Sequence, residues 1–207
     1  MKQDCQSEGG LLKSLFHAIV HYPEIDTERI EQFRKKHDPT YRLIRAHITV
    51  VFGVDQSVSV QSLSDHVRTV LKHWRSFDIE LGGFAKSWDH WLFLTLTKGN
   101  EKVKKLHDEL YEGILAPYLR REIQFIPHIG LGEFVKEKEM GLLKRKQLHL
   151  RDPSRIAFDE TRYKTALKEA QNLNLSYSTK MEKLQMIEID DAYTTITNIK
   201  EFPLSSD

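Results

Sequence analysis

The chain has little cysteine, no long apolar run and almost no charge imbalance. Its 207 residues include a single cysteine, Cys5, which excludes an intramolecular disulfide and a cysteine-based zinc site. The first apolar stretch, residues 15–20, is short and interrupted by His17, so we expect neither a signal peptide nor a membrane span. These features predict a soluble, cytoplasmic protein with no membrane partner, which we expect to act as a monomer.

The charge balance limits the kind of nucleic-acid binding that can be expected. Lys and Arg number 31, and Asp and Glu number 30. Tight, sequence-independent binding to a long nucleic acid requires a basic surplus, which this chain lacks. A small or terminal phosphate held by a few local donors remains compatible with these totals. The apolar fraction of 40% is that of a globular protein with one domain or two small packed lobes.

Hydrophobic periodicity divides the chain into strands and helices. Apolar runs rich in β-formers predict strands at 14–22, 41–52, 77–84, 91–97 and 123–134, and two more within 180–202 with a turn near Asp190. Helical spacing predicts helices from 27 to 37, from 61 to 74, from 100 through Ile114, and from 158 to 173. The charged stretch 136–151 is either a solvated helix or a long loop. This mixed order favours an α+β fold.

Two of the predicted strands carry a histidine in the same pattern. They contain His47-Ile48-Thr49-Val50 and His128-Ile129-Gly130-Leu131, each with the histidine expected near the middle of its strand. Alternate residues of a strand share a face, so His47 lies beside Thr49 and His128 beside Gly130. A polar side chain in an apolar strand carries a cost unless its face lines a cleft or finds partners. Side by side, the two strands would place two imidazoles and a hydroxyl in one groove.

Two histidines are the groups that a phosphodiester displacement requires. One neutral imidazole removes a proton from the attacking hydroxyl or water, and one imidazolium donates a proton to the leaving oxygen. The Thr49 hydroxyl can bond a non-bridging phosphate oxygen, and Gly130 exposes its backbone N–H for the same purpose. His17 and His21 share another strand face, but no carboxylate or cysteine completes a metal-ligand spacing. We therefore expect catalysis without a metal or other cofactor.

The paired motifs resemble the signature of the 2H phosphoesterase superfamily, which includes 2′-5′ RNA ligase-like proteins and 2′,3′-cyclic phosphodiesterases. That signature is His, a hydrophobic residue, Thr or Ser, and a hydrophobic residue, once per lobe. The resemblance covers about residues 14–190 and implies two pseudo-symmetric lobes, each a mainly antiparallel sheet with outer helices, around a central cleft. It implies catalysis by His47 and His128 on 2′,3′-cyclic phosphates or 2′-5′ linkages of RNA ends or small nucleotides. The expected organisation is a polar tail at 1–13, one bilobal domain at 14–202 and a C-terminal tail at 203–207.

The second motif departs from this signature at Gly130, where the family has Thr or Ser. Glycine can compensate through its N–H and by allowing close approach of the substrate. Alternatively, the site is weakened, acts on another substrate or only binds. The alternative function is a non-catalytic RNA- or nucleotide-binding module that retains the fold, and a third hypothesis is a structural domain with incidental histidines.

Two further residues are candidates for substrate binding. Arg45 shares the face of His47 and can meet either a phosphate or a surface carboxylate. Trp88 lies in the loop between two predicted strands, which the resemblance to the 2H phosphoesterases implies is near the cleft, where an aromatic ring can stack on a base. Core packing is the expected role of the neighbouring Phe84 and Trp91.

Overall fold

The computed structural model describes residues 15–136, 156–190 and 194–206. In these ranges the chain forms the following strands and helices: β1 Leu15–His21, α1 Glu28–His37, β2 Ile48–Asp55, α2 Val60–Leu71, β3 Phe77–Lys86, β4 Trp91–Lys98, α3 Asn100–Leu110, a 3₁₀-helix at Gly113–Tyr118, β5 His128–Glu133, α4 Glu160–Asn172, β6 Tyr177–Met181, β7 Lys183–Asp190 and β8 Ile196–Pro203.

The strands form a sheet in the order β6-β3-β4-β5-β2-β1-β7-β8, and all their pairings are antiparallel. Its two halves meet at β2 and β5, which are bridged by a single residue pair, Ile48 and Ile129. The first lobe contains β1, β2, β7 and β8, and the second contains β3, β4, β5 and β6. The predicted α+β class, with two lobes of antiparallel strands, is therefore confirmed.

The two lobes contain the same strand–helix–strand unit. In the first, β1 leads through α1 into β2, which pairs with β1. In the second, β4 leads through α3 into β5, which pairs with β4. Each repeat therefore ends on an inner strand of the sheet, and the two histidine motifs lie where these inner strands begin.

Helix α2 shows how local sequence builds the common core. The Ser59 side chain caps the helix by accepting a hydrogen bond from the Ser62 N–H at 3.1 Å. Leu63, Val67 and Leu71 follow at helical spacing and are buried with the apolar face of the sheet. Burying each of these side chains contributes about 1.5–3 kcal/mol. Apolar residues of the other helices enter the same core.

Strand β2 begins later than the sequence pattern predicts. Residues 41–46, expected as strand, form turns, and β2 starts at Ile48. The turns are closed by local bonds such as the one from the Leu43 N–H to the Thr40 carbonyl, at 2.8 Å. These bonds satisfy backbone groups that a strand would present to a neighbour. His47 therefore directly precedes β2, and the prediction that it lies near the middle of a strand was wrong.

Strand β5 also begins later, at His128 and not at 123. Pro127 has no N–H to donate to a neighbouring strand, which disfavours extending β5 in this direction. The Ile123 N–H instead closes a turn with the Arg120 carbonyl, at 3.0 Å. His128 is thus the first residue of its strand, and the expectation of a mid-strand position was wrong here as well.

The structure corrects two smaller predictions. Ile114 is 43% exposed and does not lie on a buried helix face, because α3 ends at Leu110. Gly113, with a φ of 58°, redirects the chain into the 3₁₀-helix, in which Leu115 is buried. The region predicted as two strands over 180–202 contains parts of β6, β7 and β8, so β6 was missed.

The predicted tails are only partly within the described residues. The expected N-terminal tail, residues 1–13, and most of the charged stretch 136–151 lie outside them. Two of the C-terminal residues contact the rest of the domain. Leu204 is buried, and the Ser205 carbonyl accepts a 2.9 Å hydrogen bond from the Ser76 N–H. Over the described ranges, no helix has both the length and the apolar character needed to cross a membrane.

Candidate active site

The two histidine motifs meet at the junction of the lobes. Because Ile48 pairs with Ile129 in an antiparallel ladder, the residues on either side are also opposite one another. Thr49 therefore lies across from His128, and His47 lies across from Gly130. Ile48 and Ile129 are fully buried in the core, whereas these four neighbours are partly exposed on the other face. The register of this one pair thus brings the candidate residues next to one another on one face of the sheet.

Both imidazoles make the same kind of hydrogen bond, from the ring Nδ1 to the backbone carbonyl two residues earlier in the chain. The His47 Nδ1 bonds to the Arg45 carbonyl at 2.9 Å, and the His128 Nδ1 bonds to the Ile126 carbonyl. A carbonyl can only accept, so Nδ1 is the protonated nitrogen in both neutral rings. In each neutral ring the unprotonated nitrogen is therefore Nε2. The shared offset of two residues reflects the repeated unit of the two lobes.

The His128 ring is shielded from solvent by a neighbouring aromatic ring. Its ring stacks on Phe93, with the centroids 3.4 Å apart and the planes within 16°. Burial lowers the pKa of His128 to about 4, and the charge of His47 acts in the same direction. The bond to the Ile126 carbonyl and the Asp89 carboxylate oppose this shift without cancelling it. His128 is therefore a neutral imidazole at neutral pH.

His47 lies beside a tyrosine and an arginine. Its ring centroid is 6.1 Å from that of Tyr22. The Arg45 guanidinium lies over the same Tyr22 ring, 4.2 Å from its centroid, and the Arg45 side chain is exposed. The sequence predicted either a phosphate or a surface carboxylate as the partner of Arg45. Neither is needed to hold the guanidinium in this position, because it lies over the Tyr22 ring. This arrangement adds positive charge near His47.

Two aromatic rings of β4 lie beside the candidate residues of the second motif. Phe93 stacks on His128, and a β-carbon at Gly130 would lie 3.5 Å from two atoms of the Trp91 ring. The expected core packing holds for Phe84, but it was wrong for Trp91. Trp88 is 42% exposed in the β3–β4 turn, and its role in stacking stays a prediction.

Sequence reasoning missed Phe93, although a signal was present. In β4, Trp91, Phe93 and Thr95 alternate with leucines at 92, 94 and 96. The leucines are buried, so the alternation assigns the aromatic residues to the face that carries the histidines.

No group of three or more His, Cys, Asp or Glu residues that could hold a metal ion occurs in the described part of the chain. His17 and His21, considered above as metal ligands, have other partners. The His17 Nε2 lies 3.3 Å from a Glu188 carboxylate oxygen, and the His21 Nδ1 lies 2.9 Å from the Lys183 carbonyl.

Comparison with known proteins gives consistent results. A family model described as the 2′-5′ RNA ligase superfamily matches residues 22–191. A Bacillus cereus protein named "Putative phosphoesterase" is 24% identical over 143 residues, covering 65% of this chain and 81% of that protein. A Bacillus licheniformis protein of the same name is 24% identical over 139 residues, covering 63% of this chain and 80% of its own.

Solved structures share the fold. Thermus thermophilus TT0787 superposes with a TM-score of 0.55 at 14% identity, over 94% of this chain and 99% of its own. Escherichia coli LigT in its apo form gives a TM-score of 0.53 at 18% identity, over 93% of this chain and 98% of its own. LigT has also been crystallised with 3′-AMP and with NADP+.

Proposed function

Because the chain belongs to the 2′-5′ RNA ligase superfamily, we propose that it is a phosphodiesterase acting on 2′,3′-cyclic phosphates or 2′-5′ linkages of RNA ends or small nucleotides. The observation that carries this proposal is the position of the two histidines on one face of the sheet, with His47 directly before β2 and His128 at the start of β5, where these strands meet. Each imidazole has its Nδ1 bonded to a backbone carbonyl, so that Nε2 is the nitrogen for proton transfer.

The two histidines have different roles in the proposed reaction. Neutral His128 takes a proton from water as the water oxygen attacks phosphorus. One ester P–O bond of the cyclic phosphate breaks, and His47 donates a proton to the departing ribose oxygen. The product is a phosphomonoester with a free hydroxyl, and the proton taken up by His128 returns through solvent to His47. The lowered pKa of His128 keeps its ring in the unprotonated form that a base requires.

The remaining candidates hold the substrate. The Thr49 hydroxyl and the Gly130 N–H bind non-bridging phosphate oxygens, and the exposed Arg45 contributes positive charge. Trp91 and Phe93 provide aromatic surface on the His128 side, where a base can stack. The fold shared with E. coli LigT, which was crystallised with 3′-AMP, supports a nucleotide-sized ligand.

The test is an assay with 2′,3′-cyclic nucleotides and 2′-5′-linked dinucleotides, each with and without EDTA. We expect turnover of at least one class that persists in EDTA, because the histidines supply both the acid and the base. Activity abolished by EDTA and restored by a divalent ion would contradict the mechanism. Binding without turnover would instead support the non-catalytic nucleotide-binding module.

The substitution Gly130→Thr restores the hydroxyl found in the family signature. A β-carbon at this position makes ordinary contact with Trp91, at 3.5 Å, so the variant is expected to fold. We expect kcat/KM to stay at the wild-type value or to rise, because a new donor faces the phosphate. The matched control is Gly132→Thr, in which the β-carbon would come within 2.5 Å of the His37 β-carbon and disturb the fold. A large loss of activity in a folded Gly130→Thr variant would contradict the expectation that a hydroxyl at this position binds the phosphate.

The pH dependence of kcat/KM follows from the environment of His128. A base acts only when unprotonated, so activity should fall as the pH drops through the pKa of His128, about 4. Replacing Phe93 by Leu removes the stacked ring and should move this acidic limb upward, towards the ordinary imidazole value. An acidic limb near 6.5 in the wild-type protein would contradict the assignment of His128 as the base.

A further inference from the structure

The peptide unit between Arg45 and Ala46 makes two hydrogen bonds: its carbonyl accepts from the His47 ring, and its N–H donates to a carboxylate. The Arg45 carbonyl accepts from the His47 Nδ1 at 2.9 Å. The N–H of the same peptide unit, that of Ala46, donates to the Glu31 Oε1 at 2.6 Å. The peptide group is planar and conjugated, so an anion at its N–H increases the negative charge on its carbonyl oxygen. Glu31 is thus connected to the His47 ring through two hydrogen bonds and one peptide.

We propose that Glu31 is a positioning residue for His47, which acts through the peptide unit between Arg45 and Ala46 to orient the imidazole and favour its protonated form. This role rests on the proposed function only in that His47 is the acid of that reaction. A carboxylate bonded directly to a histidine has the same effect, because it stabilises the imidazolium and fixes the tautomer. Here the carboxylate is one peptide further away.

A buried arginine holds Glu31 in place. Arg34 is 1% exposed, and its Nη1 donates to both Glu31 carboxylate oxygens at 3.0 Å. Its Nη2 donates to the Ile44 carbonyl at 2.7 Å, and its Nε donates to Asp38 at 2.8 Å. Helix α1 therefore fixes the loop that enters β2 at the residues just before His47.

In the second lobe, the peptide that holds His128 has no N–H and cannot make the corresponding hydrogen bond to a carboxylate. His128 bonds to the Ile126 carbonyl, and the nitrogen of that peptide belongs to Pro127. Proline has no N–H, so no carboxylate can polarise this peptide in the same way. Both imidazoles bond through Nδ1 to a backbone carbonyl, but of these two peptides only the one that holds His47 has an N–H bonded to a carboxylate. This difference matches the assignment of His47 as the acid and His128 as the base.

Other charges also act on His47, and the experiment must separate them from Glu31. Groups near it include Arg45 and Tyr22 beside the ring, His128 on the adjacent strand, and Glu31 with Arg34 behind the peptide. Arg45 and a protonated His128 disfavour the imidazolium, whereas Glu31 favours it. Removing the charge of Glu31 should therefore make His47 lose its proton at a lower pH.

The test is an NMR titration of ¹⁵N-labelled histidine side chains in the His128→Gln background, so that His47 titrates without its coupled partner. Glu31→Gln keeps an oxygen that can accept from the Ala46 N–H but removes the charge. We expect its His47 titration midpoint to move to lower pH while Nδ1 stays protonated. The control is Glu28→Gln, which removes an equal charge from the exposed first turn of α1 and should leave the midpoint unchanged. Equal midpoints in the parent and Glu31→Gln, or equal shifts in both variants, would overturn the proposal.

A measurement on the wild-type protein covers the case in which Glu31→Gln does not fold. The Ala46 amide proton should lie far downfield, because a short bond to a carboxylate is strong, and should move again as His47 titrates. An ordinary amide position would overturn the proposal. With an active substrate, Glu31→Gln should also shift the alkaline limb of kcat/KM to lower pH with little change in KM at the plateau. If no substrate of the panel reacts, the proposed function fails, while the NMR titration still decides the role of Glu31.

Discussion

Replacing either His47 or His128 by alanine should lower kcat by about 10²–10⁴-fold, the usual cost of losing a general acid or base. In the proposed reaction each imidazole performs one of the two proton transfers, and each is held by its own backbone carbonyl. The double variant should lose much less than the product of the single losses, because groups that act as one unit are not additive. The measurement is steady-state kinetics on whichever cyclic or 2′-5′-linked substrate reacts.

Two variants serve as controls for the histidine replacements. His73→Ala removes an exposed histidine in the turn after α2 and should leave kcat unchanged. Thr49→Ala should have a milder effect than either active-site histidine, because one phosphate donor is lost while both proton transfers remain. Turnover close to wild type in both His47→Ala and His128→Ala would contradict the assignment of these two histidines to catalysis.

Replacing Arg34 by methionine should lower the free energy of unfolding by about 3–5 kcal/mol, the typical cost of breaking a buried ion pair from one side. Arg34 is almost completely buried and bonds to Asp38, Glu31 and the Ile44 carbonyl. Methionine fills much of the volume but leaves the 8%-exposed Asp38 without its cation. Urea denaturation followed by circular dichroism measures the difference.

The matched control for this prediction is Arg68→Met on α2. Arg68 also pairs with a carboxylate on its own helix, Asp65 at 3.2 Å, but both side chains are more than half exposed. Exposed pairs contribute about 0–1 kcal/mol, so this variant should differ little from the wild type. Equal effects of the two substitutions would show that the buried network does not stabilise the loop before β2.

The paired motifs could be found from sequence because their signal is local. Alternation along a strand places His47 with Thr49 and His128 with Gly130, and this needs no knowledge of the rest of the fold. The same holds for the mixed strand and helix pattern behind the α+β prediction, which the structure confirms. The assignment of these residues to catalysis stays a prediction, which the histidine variants test.

Contacts between distant parts of the chain could not be read in this way. The pattern of residues 41–46 favours a strand, but turn bonds and the side chains of α1 satisfy its backbone groups, so β2 starts at Ile48. Trp91 resembles a core residue until β4 is seen to pair with β5, which puts its ring against Gly130. Each outcome depends on a partner many positions away.

The sequence by itself determined the class of fold, the two histidine motifs and the face on which each imidazole lies, because these follow from spacing along one strand. Only the tertiary structure decided that the motifs meet, since the pairing of Ile48 with Ile129 joins segments 81 residues apart. It also decided how the two imidazoles differ. Stacking on Phe93 and burial act on His128, whereas Glu31 reaches His47 through a peptide, and these effects depend on distances in space.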